Sequence, residues 1–345
     1  MFNFGVMKSN FPIISIIIIA YNEEKRIKKA IKSAMRQSMK EIEIIVVDDG
    51  STDRTVERAM SLAGFDKRVR VVQHRENRGM VSARVTGIEA AVGEYVTFLD
   101  ADDTLCDRAV EEMHKVVREH DVDVVQMGCY VEMKHLPKRF RYFIPSSRLD
   151  KDVYDVDDAR EVLYSGKALN NVWSKLYRRK LLLTVGLRRS GNNYGEDIMF
   201  NHQVFSHGAT LATTDYLGYN YRMADAGLSR LNRWRDVMTA HVEMLDVMTD
   251  GNESLRRAYA DRIAQDMISS IALRLLNPFN NRRLIRQFIT TELYGIIWNN
   301  RVLPLLGDNR KTFITRDVDL IFNEGKRFLR QHYLGCSLSY LMTII

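Results

Sequence analysis

Four short apolar runs, each stopped by a polar turn and followed by a helical stripe, constrain this chain more than any other feature. Residues 13–19 read as a β-branched strand that breaks at Ala20-Tyr21-Asn22-Glu23-Glu24. The segment after it sets Ile27, Ala30, Ile31 and Ala34 on one helical face. Residues 42–47 repeat the pattern and end at Asp48-Asp49-Gly50-Ser51-Thr52-Asp53. There Thr52 or Asp53 can cap a helix carrying Val56, Ala59, Met60 and Leu62. Residues 69–73 lead through Glu76-Asn77-Arg78-Gly79 into a helix with Val81, Ala83, Val85, Ile88 and Ala91. The fourth strand, 95–99, runs straight into Asp100, Asp102 and Asp103. Strand alternating with helix predicts an α/β fold, a mostly parallel, doubly wound sheet with right-handed crossovers. Such sheets bind ligands outside the carboxyl ends of their strands, so the four polar turns gather on one rim.

The residues of that rim suit a nucleotide and a cation. Asp100, Asp102 and Asp103 repel one another, and a strand end gains nothing from that unless a cation sits among them. Mg²⁺ and Mn²⁺ favour carboxylate oxygen and keep positions for substrate phosphates. The same acids also read as a turn that caps the helix starting near Asp107. Asn22 and Glu23 can meet ribose hydroxyls or a base edge, Asp49 a pyrimidine N–H, and Arg78 a phosphate or base. Gly50 and Gly79 permit close backbone approach. Taken singly, each is equally well explained as a turn former or helix cap. Neither a Walker A loop nor G-x-G-x-x-G occurs, which removes the main support for an ATPase or a dinucleotide dehydrogenase.

Composition bounds the surroundings. A hydrophobic content of 46% and a charged content of 28% are those of a globular protein. The longest apolar run is strand-sized, well short of the roughly 18–20 residues of a membrane span, and it lacks the features of a secretion signal. Cys106, Cys129 and Cys336 are odd in number and far apart, which points to a reducing compartment without disulfides or a zinc site. Of the net charge of +7, about +5 lies beyond Ser229. That bias suits an anionic partner or an ordinary solvated surface.

In order and spacing, Ala-Tyr-Asn-Glu, Asp-Asp-Gly-Ser-Thr-Asp, Glu-Asn-Arg-Gly and Phe-Leu-Asp-Ala-Asp-Asp resemble the family 2 glycosyltransferases of the GT-A fold, over residues 12 to about 225. The resemblance implies a Rossmann-like, mostly parallel sheet flanked by helices, followed by a C-terminal helical region. It divides the chain into a nucleotide-sugar half (1–110), an acceptor-side half (111–230) and the helical region (231–345). It implies donor-nucleotide contacts from Ala20, Tyr21, Asn22, Glu23, Asp49, Arg78, Asp100 and Ala101, with Glu23 and Asp49 on the uridine. Asp102 would ligate Mn²⁺ or Mg²⁺, helped by Asp100 or Asp103. Many members carry Ala-Arg-Asn after the Asn-Arg-Gly turn, where this chain has Ala83-Arg84-Val85.

Farther on, Asn171-Val172-Trp173-Ser174-Lys175-Leu176-Tyr177, expected to precede a short helix, resembles the family's acceptor-side Trp-x-Lys-Leu. Lys175 can pair with a phosphate or stand as a surface lysine. In Tyr194-Gly195-Glu196-Asp197, carboxylates at a helix start favour the helix dipole. The resemblance makes Asp197 the catalytic base and puts Glu196, Trp173 and Lys175 near the acceptor or phosphate. His202 reads as structural. Tyr219, Tyr221 and Arg222, then Leu228-Ser229, resemble the family's closing segment. Basic, aromatic residues 134–142 read as a solvated loop, the apolar stripe from Leu284 to Ile297 as a packing or interfacial helix, and 333–345 as an anchor or docking tail.

The expected activity is inverting transfer from a nucleoside-diphosphate sugar, a UDP-sugar first, to a glycan or lipid-linked acceptor in cell-surface polysaccharide synthesis. The expected location is the cytoplasm, with membrane-surface contact through the C-terminal region; nucleic acid is not an expected partner. The alternative is a non-catalytic nucleotide-binding scaffold of a membrane-associated glycan assembly complex. Intact Asp102 and Asp197 argue against it. A sugar-1-phosphate nucleotidyltransferase would carry a Gly-rich basic loop that the Ala20–Glu23 turn lacks.

Overall fold

The structure, a computed structural model, describes residues 11–133, 142–144, 146, 151–165, 168–187, 196–223, 245, 252–276, 305, 319, 323 and 327. The four apolar runs form β1 (Ile14–Ala20), β2 (Ile42–Asp48), β3 (Val69–Gln73) and β4 (Tyr95–Asp100), linked by α1 (Ile27–Met35), α2 (Thr55–Ala63) and α3 (Met80–Ala90). They pair in parallel in the order β3-β2-β1-β4. At the centre, Ile17 lies between Ile45 and Phe98.

Side chains alternate between two faces along these strands, and both faces are buried. Ile17, Ile19, Ile45, Val47, Val96 and Phe98 join one core with Ala83 and Ile88 of α3. Ile16, Ile18, Ile44, Val46 and Leu99 join the other with Ile27, Ala30 and Ile31 of α1 and Ala59 of α2. Burial on both faces is why the strands read as unbroken β-branched runs.

The sheet then continues through β9 (Lys175–Arg178), β6 (Val124–Met133), β10 (Leu211–Met223) and β5 (Thr104–Leu105), ten strands among the described residues with β7 (Tyr142–Ile144) beside β6 and β8 (Val153–Tyr154) beside β10. β9 runs antiparallel to both β4 and β6, whereas β10 is parallel to β6. The expected halves 1–110 and 111–230 therefore share one sheet. α4 (Ala109–His120) covers one face, and α5 (Val156–Tyr164), α6 (Arg179–Val185) and α7 (Glu196–Ser206) the other.

Within the expected C-terminal region, α8 (Glu253–Leu276) packs Tyr259, Ala260, Ile263 and Ala264 into the same core as Tyr164. The Tyr164 and Tyr259 rings meet edge to face at 6.0 Å, and Arg262 Nη1 donates to Leu163 O at 3.1 Å. No described helix is long and apolar enough to cross a membrane. Of the expected loop 134–142, Tyr142 begins β7 instead, and residues 134–141, the 284–297 stripe, Leu228-Ser229 and the tail 333–345 lie outside the described residues.

Candidate active site

The rim is assembled by cross-links between turns. Asn22, at the end of β1, adopts a left-handed backbone with φ 54°, which Asn tolerates better than most residues. Its N–H donates to Ser51 Oγ and its Oδ1 accepts from Thr52 N, each at 2.9 Å, stitching the β1 turn to the β2 turn. Asp53 adds a second stitch: Oδ1 accepts from Thr55 N at the start of α2, and Oδ2 accepts from Glu24 N. Tyr21 stands 45% exposed at this edge.

Two carboxylates expected on the uridine are already engaged. Glu23 takes a bidentate pair from Arg26, with Nε and Nη2 at 2.6 and 2.5 Å. Arg26 also feels the charges of Asp102 and Asp103, so it brings a cation to the acidic end of the rim. Asp49 is buried and turned inward. Its Oδ1 accepts from Arg78 N at 2.9 Å and lies 2.7 Å from His74 Nδ1, while Oδ2 accepts from Gly79 N at 2.8 Å. His74 Nε2 in turn meets Thr86 Oγ1 of α3 at 2.9 Å. Asp49 thus braces the loop entering α3 with most of its acceptor capacity, instead of presenting an open carboxylate to a base. The Arg78 side chain is exposed, and only its backbone is tied to Asp49.

At the end of β4, Ala101 N donates to Ile19 O at 3.1 Å, holding the acidic turn against β1. The Tyr219 hydroxyl accepts from Asp100 N at 3.2 Å and donates to Asp103 Oδ2 at 2.8 Å. Asp103 also accepts from Arg222 N, at 2.6 Å. Its expected help to the metal is therefore corrected: the buried Asp103 carboxylate fastens the acidic turn to β10. Burial pushes its pKa well up, Asp102 and Asp100 add to the rise, and the two donors oppose it. Asp100 is pushed up to about 7, first by burial and then by Asp197 and Asp102, against the pull of Arg84.

Asp100 and Asp102 are hard oxygen donors whose repulsion a divalent cation relieves, so they fit Mg²⁺ or Mn²⁺. Among the described residues no three His, Cys, Asp or Glu side chains converge on a metal position. Two carboxylates completed by substrate phosphates are the usual Mg²⁺ arrangement and need no third.

The acceptor-side segment departs from expectation. Residues 175–178 form strand β9 ahead of α6, and Lys175 is neither a surface lysine nor open to a phosphate. Its ammonium is fully buried and spends its donors on Leu169 O and Asn171 O, both at 2.6 Å, and Asn171 Oδ1 at 3.3 Å. Burial pushes its pKa down, with Asp197 opposing. Lys175 thereby fixes the turn that presents Trp173, whose ring stacks on Tyr219 at 4.6 Å and on Tyr221 at 5.0 Å.

Across from these, α7 begins with Glu196, buried, and Asp197, 30% exposed. Asp197 Oδ1 lies 2.7 Å from Arg84 Nη2, and Oδ2 accepts from Val172 N at 3.4 Å. His202, on the same helix, is buried with Nδ1 2.6 Å from the Tyr164 hydroxyl, the structural role its position implied.

Comparison with known proteins bears on the family and the fold. Glycosyl transferase family 2 matches residues 15–182. EpsJ of Bacillus subtilis, an uncharacterized glycosyltransferase, is 31% identical over 235 residues, covering 67% of this chain and 67% of that protein. The chain belongs to glycosyl transferase family 2. Glycosyltransferase GlyA of Streptococcus pneumoniae is 31% identical over 243 residues, which cover 67% of this chain and 34% of GlyA. Among solved structures, residues 1–349 of S. aureus TarS share the fold with a TM-score of 0.64 at 18% identity, covering 93% of this chain and 92% of that one. TarS 1–349 is also solved with UDP-GlcNAc. A mannosyltransferase of Pyrobaculum calidifontis, solved with GDP-Man and Mn²⁺, has a TM-score of 0.51 at 16% identity, covering 92% and 87%.

As a family 2 glycosyltransferase, the chain brings the ends of β1, β2 and β4 together on one rim, with Trp173 and Asp197 beside it. Three residues that organise the rim escaped sequence reasoning, Arg26, His74 and Arg84, whereas Tyr219 was read only as part of the family-like closing segment and not as the fastener of the acidic turn. Arg84 had left a signal, a charge set among Val81, Ala83 and Ile88 on an apolar helical face.

Proposed function

We propose that this glycosyltransferase moves a sugar from a nucleoside-diphosphate sugar, UDP-linked in the first instance, to a hydroxyl of a glycan or lipid-linked acceptor in cell-surface polysaccharide synthesis. The observation that carries the reading is the placing of Asp197: one oxygen buried against Arg84, the remainder of the carboxylate exposed beside the acidic rim. The acceptor hydroxyl gives its proton to Asp197 as its oxygen bonds to the anomeric carbon. The bond from that carbon to the diphosphate oxygen breaks in the same displacement, so the configuration inverts and the nucleoside diphosphate leaves. Asp102 and Asp100 would hold Mn²⁺ or Mg²⁺, which when bound offsets charge on the leaving diphosphate. Tyr21 and the Asn22–Glu23 turn would face the nucleoside, and the Trp173 stack the acceptor. Relatives such as the succinoglycan biosynthesis protein ExoO of Rhizobium meliloti, 28% identical over 262 residues, support the polysaccharide context. The UDP-GlcNAc complex of TarS supports a UDP donor.

The test is nucleoside-diphosphate release from UDP-, GDP- and dTDP-sugars with Mn²⁺, Mg²⁺ or EDTA. Release from one donor that needs the metal and disappears in Asp102→Ala is the expected result. Absence of turnover on every donor, together with no binding of UDP, GDP or dTDP in the presence of Mn²⁺, would overturn the reading.

A further inference from the structure

Arg84 is a deeply buried cation near the rim, and the reaction scheme above gives it no task. It is 1% exposed, on the inner face of α3 between Val81 and Ile88. Its Nη2 contacts Asp197 Oδ1, while Nε and Nη1 are buried without a hydrogen-bond partner among the described residues. Burial works against its charge, but Asp197, Asp100 and Glu196 more than offset this and hold its pKa above the ordinary value. The guanidinium also lies over the Phe200 ring, 5.9 Å from its centroid. Phe200 is wedged edge to face against Phe98 at 5.5 Å and Tyr177 at 5.6 Å. Phe200 sits one helical turn after Asp197 on α7, so one guanidinium touches both the helix carrying the carboxylate and the aromatic floor beneath it.

Burying an ion pair is an inefficient way to stabilise a fold, because desolvation consumes most of the attraction. A fixed cation does determine which way a neighbouring carboxylate points. Asp197 has one other described side-chain tie, the long bond from Val172 N to Oδ2. Without Arg84, the Asp197 side chain is free to change rotamer, and its outward oxygen loses its bearing on the rim. We infer that Arg84 is a positioning residue for the reaction, acting through Asp197: it draws Oδ1 inward so that Oδ2 faces the acceptor hydroxyl. This rests on the general-base reading of Asp197.

The test is a double-mutant cycle with Arg84→Gln, Asp197→Asn and the pair together, plus Arg84→Lys, all in the full chain. Each variant is read by turnover of the donor found in the screen, UDP–Mn²⁺ affinity by calorimetry, and urea unfolding. Arg84→Gln is expected to lower kcat at least 30-fold with UDP–Mn²⁺ affinity within threefold of wild type. Combined with Asp197→Asn it should add less than threefold, because a residue acting through Asp197 has nothing left to position. Arg84→Lys, which keeps the charge, should recover at least tenfold over Arg84→Gln and serves if the Gln variant unfolds. Multiplying effects would overturn the inference, as would a tenfold loss of UDP–Mn²⁺ affinity, which would assign Arg84 to Asp100. Full turnover in Asp197→Asn would instead remove the general-base reading, whereas its loss beside an active Arg84→Gln removes this inference alone.

Discussion

Replacing Lys175 with Met tests the claim that this lysine is an internal fastener. Methionine is an unbranched, apolar side chain of similar length to the lysine stem but has no donor. Leu169 O then loses its ammonium donor, and a buried acceptor left unsatisfied costs about 1–3 kcal/mol. Asn171 O keeps a second donor, Asn201 Nδ2 at 3.1 Å, so its loss is partial. Asn171 is half-buried and its side-chain oxygen can turn to water. Relief from burying a cation works in the opposite direction. The balance is a loss of about 2 kcal/mol, or about 3–4 °C in Tm for a chain of this size. The loss should come with a changed Trp173 environment, because the turn that Lys175 ties down carries the indole. Thermal unfolding followed by circular dichroism and tryptophan fluorescence is the assay. A Tm within 1 °C of wild type, or a more stable variant, would refute the reasoning.

Two further substitutions probe the rim and the sheet. Gly50 has φ +76°, and a Cβ there would lie 2.5 Å from the Glu76 carbonyl carbon. Gly50→Ala is therefore expected to cost about 2–4 kcal/mol in urea unfolding and to weaken UDP–Mn²⁺ binding, whereas Gly64→Ala, at an ordinary backbone angle, should change neither. Glu43 stands on β2 opposite Ser15 of β1, where burial raises its pKa but donors from Ser15, Val92 N and Arg70 outweigh it and leave it lowered. Its contribution is thus complete above the ordinary Glu range near pH 4.3 and lost as pH falls through the lower folded value. Glu43→Gln should be less stable at pH 7 and show a flatter acid limb below about pH 4.5, read as urea midpoint against pH. An unchanged acid limb would exclude Glu43 as its source.

The first half of the fold was legible because buried parallel strands admit only apolar, β-branched residues. Residues 69–73 were read with the boundaries the strand has, and α1 buries Ile27, Ala30, Ile31 and Ala34 as its spacing predicted. Residues 175–178 were missed as a strand because Lys175-Leu176-Tyr177-Arg178 begins and ends with a cation. Its strand geometry is decided by antiparallel neighbours on both sides, β4 and β6, which local pattern does not report. The site divides in the same way. Sequence identified the carboxylates of the rim, but the direction each one faces depends on partners far along the chain. Asp103 turns inward because Tyr219 and Arg222, 116 and 119 residues away, donate to it. Asp49 turns inward because His74 and the Gly79 turn enclose it. Asp102 and Asp197 remain at the open edge.

The account stands on Asp197 more than on any other residue, and single-turnover transfer by Asp197→Asn examines it directly. With the identified donor and acceptor, the rate should fall by about 10²–10⁴-fold, the usual contribution of a general base, while UDP–Mn²⁺ affinity stays within threefold of wild type. A rate within tenfold of wild type would contradict the account.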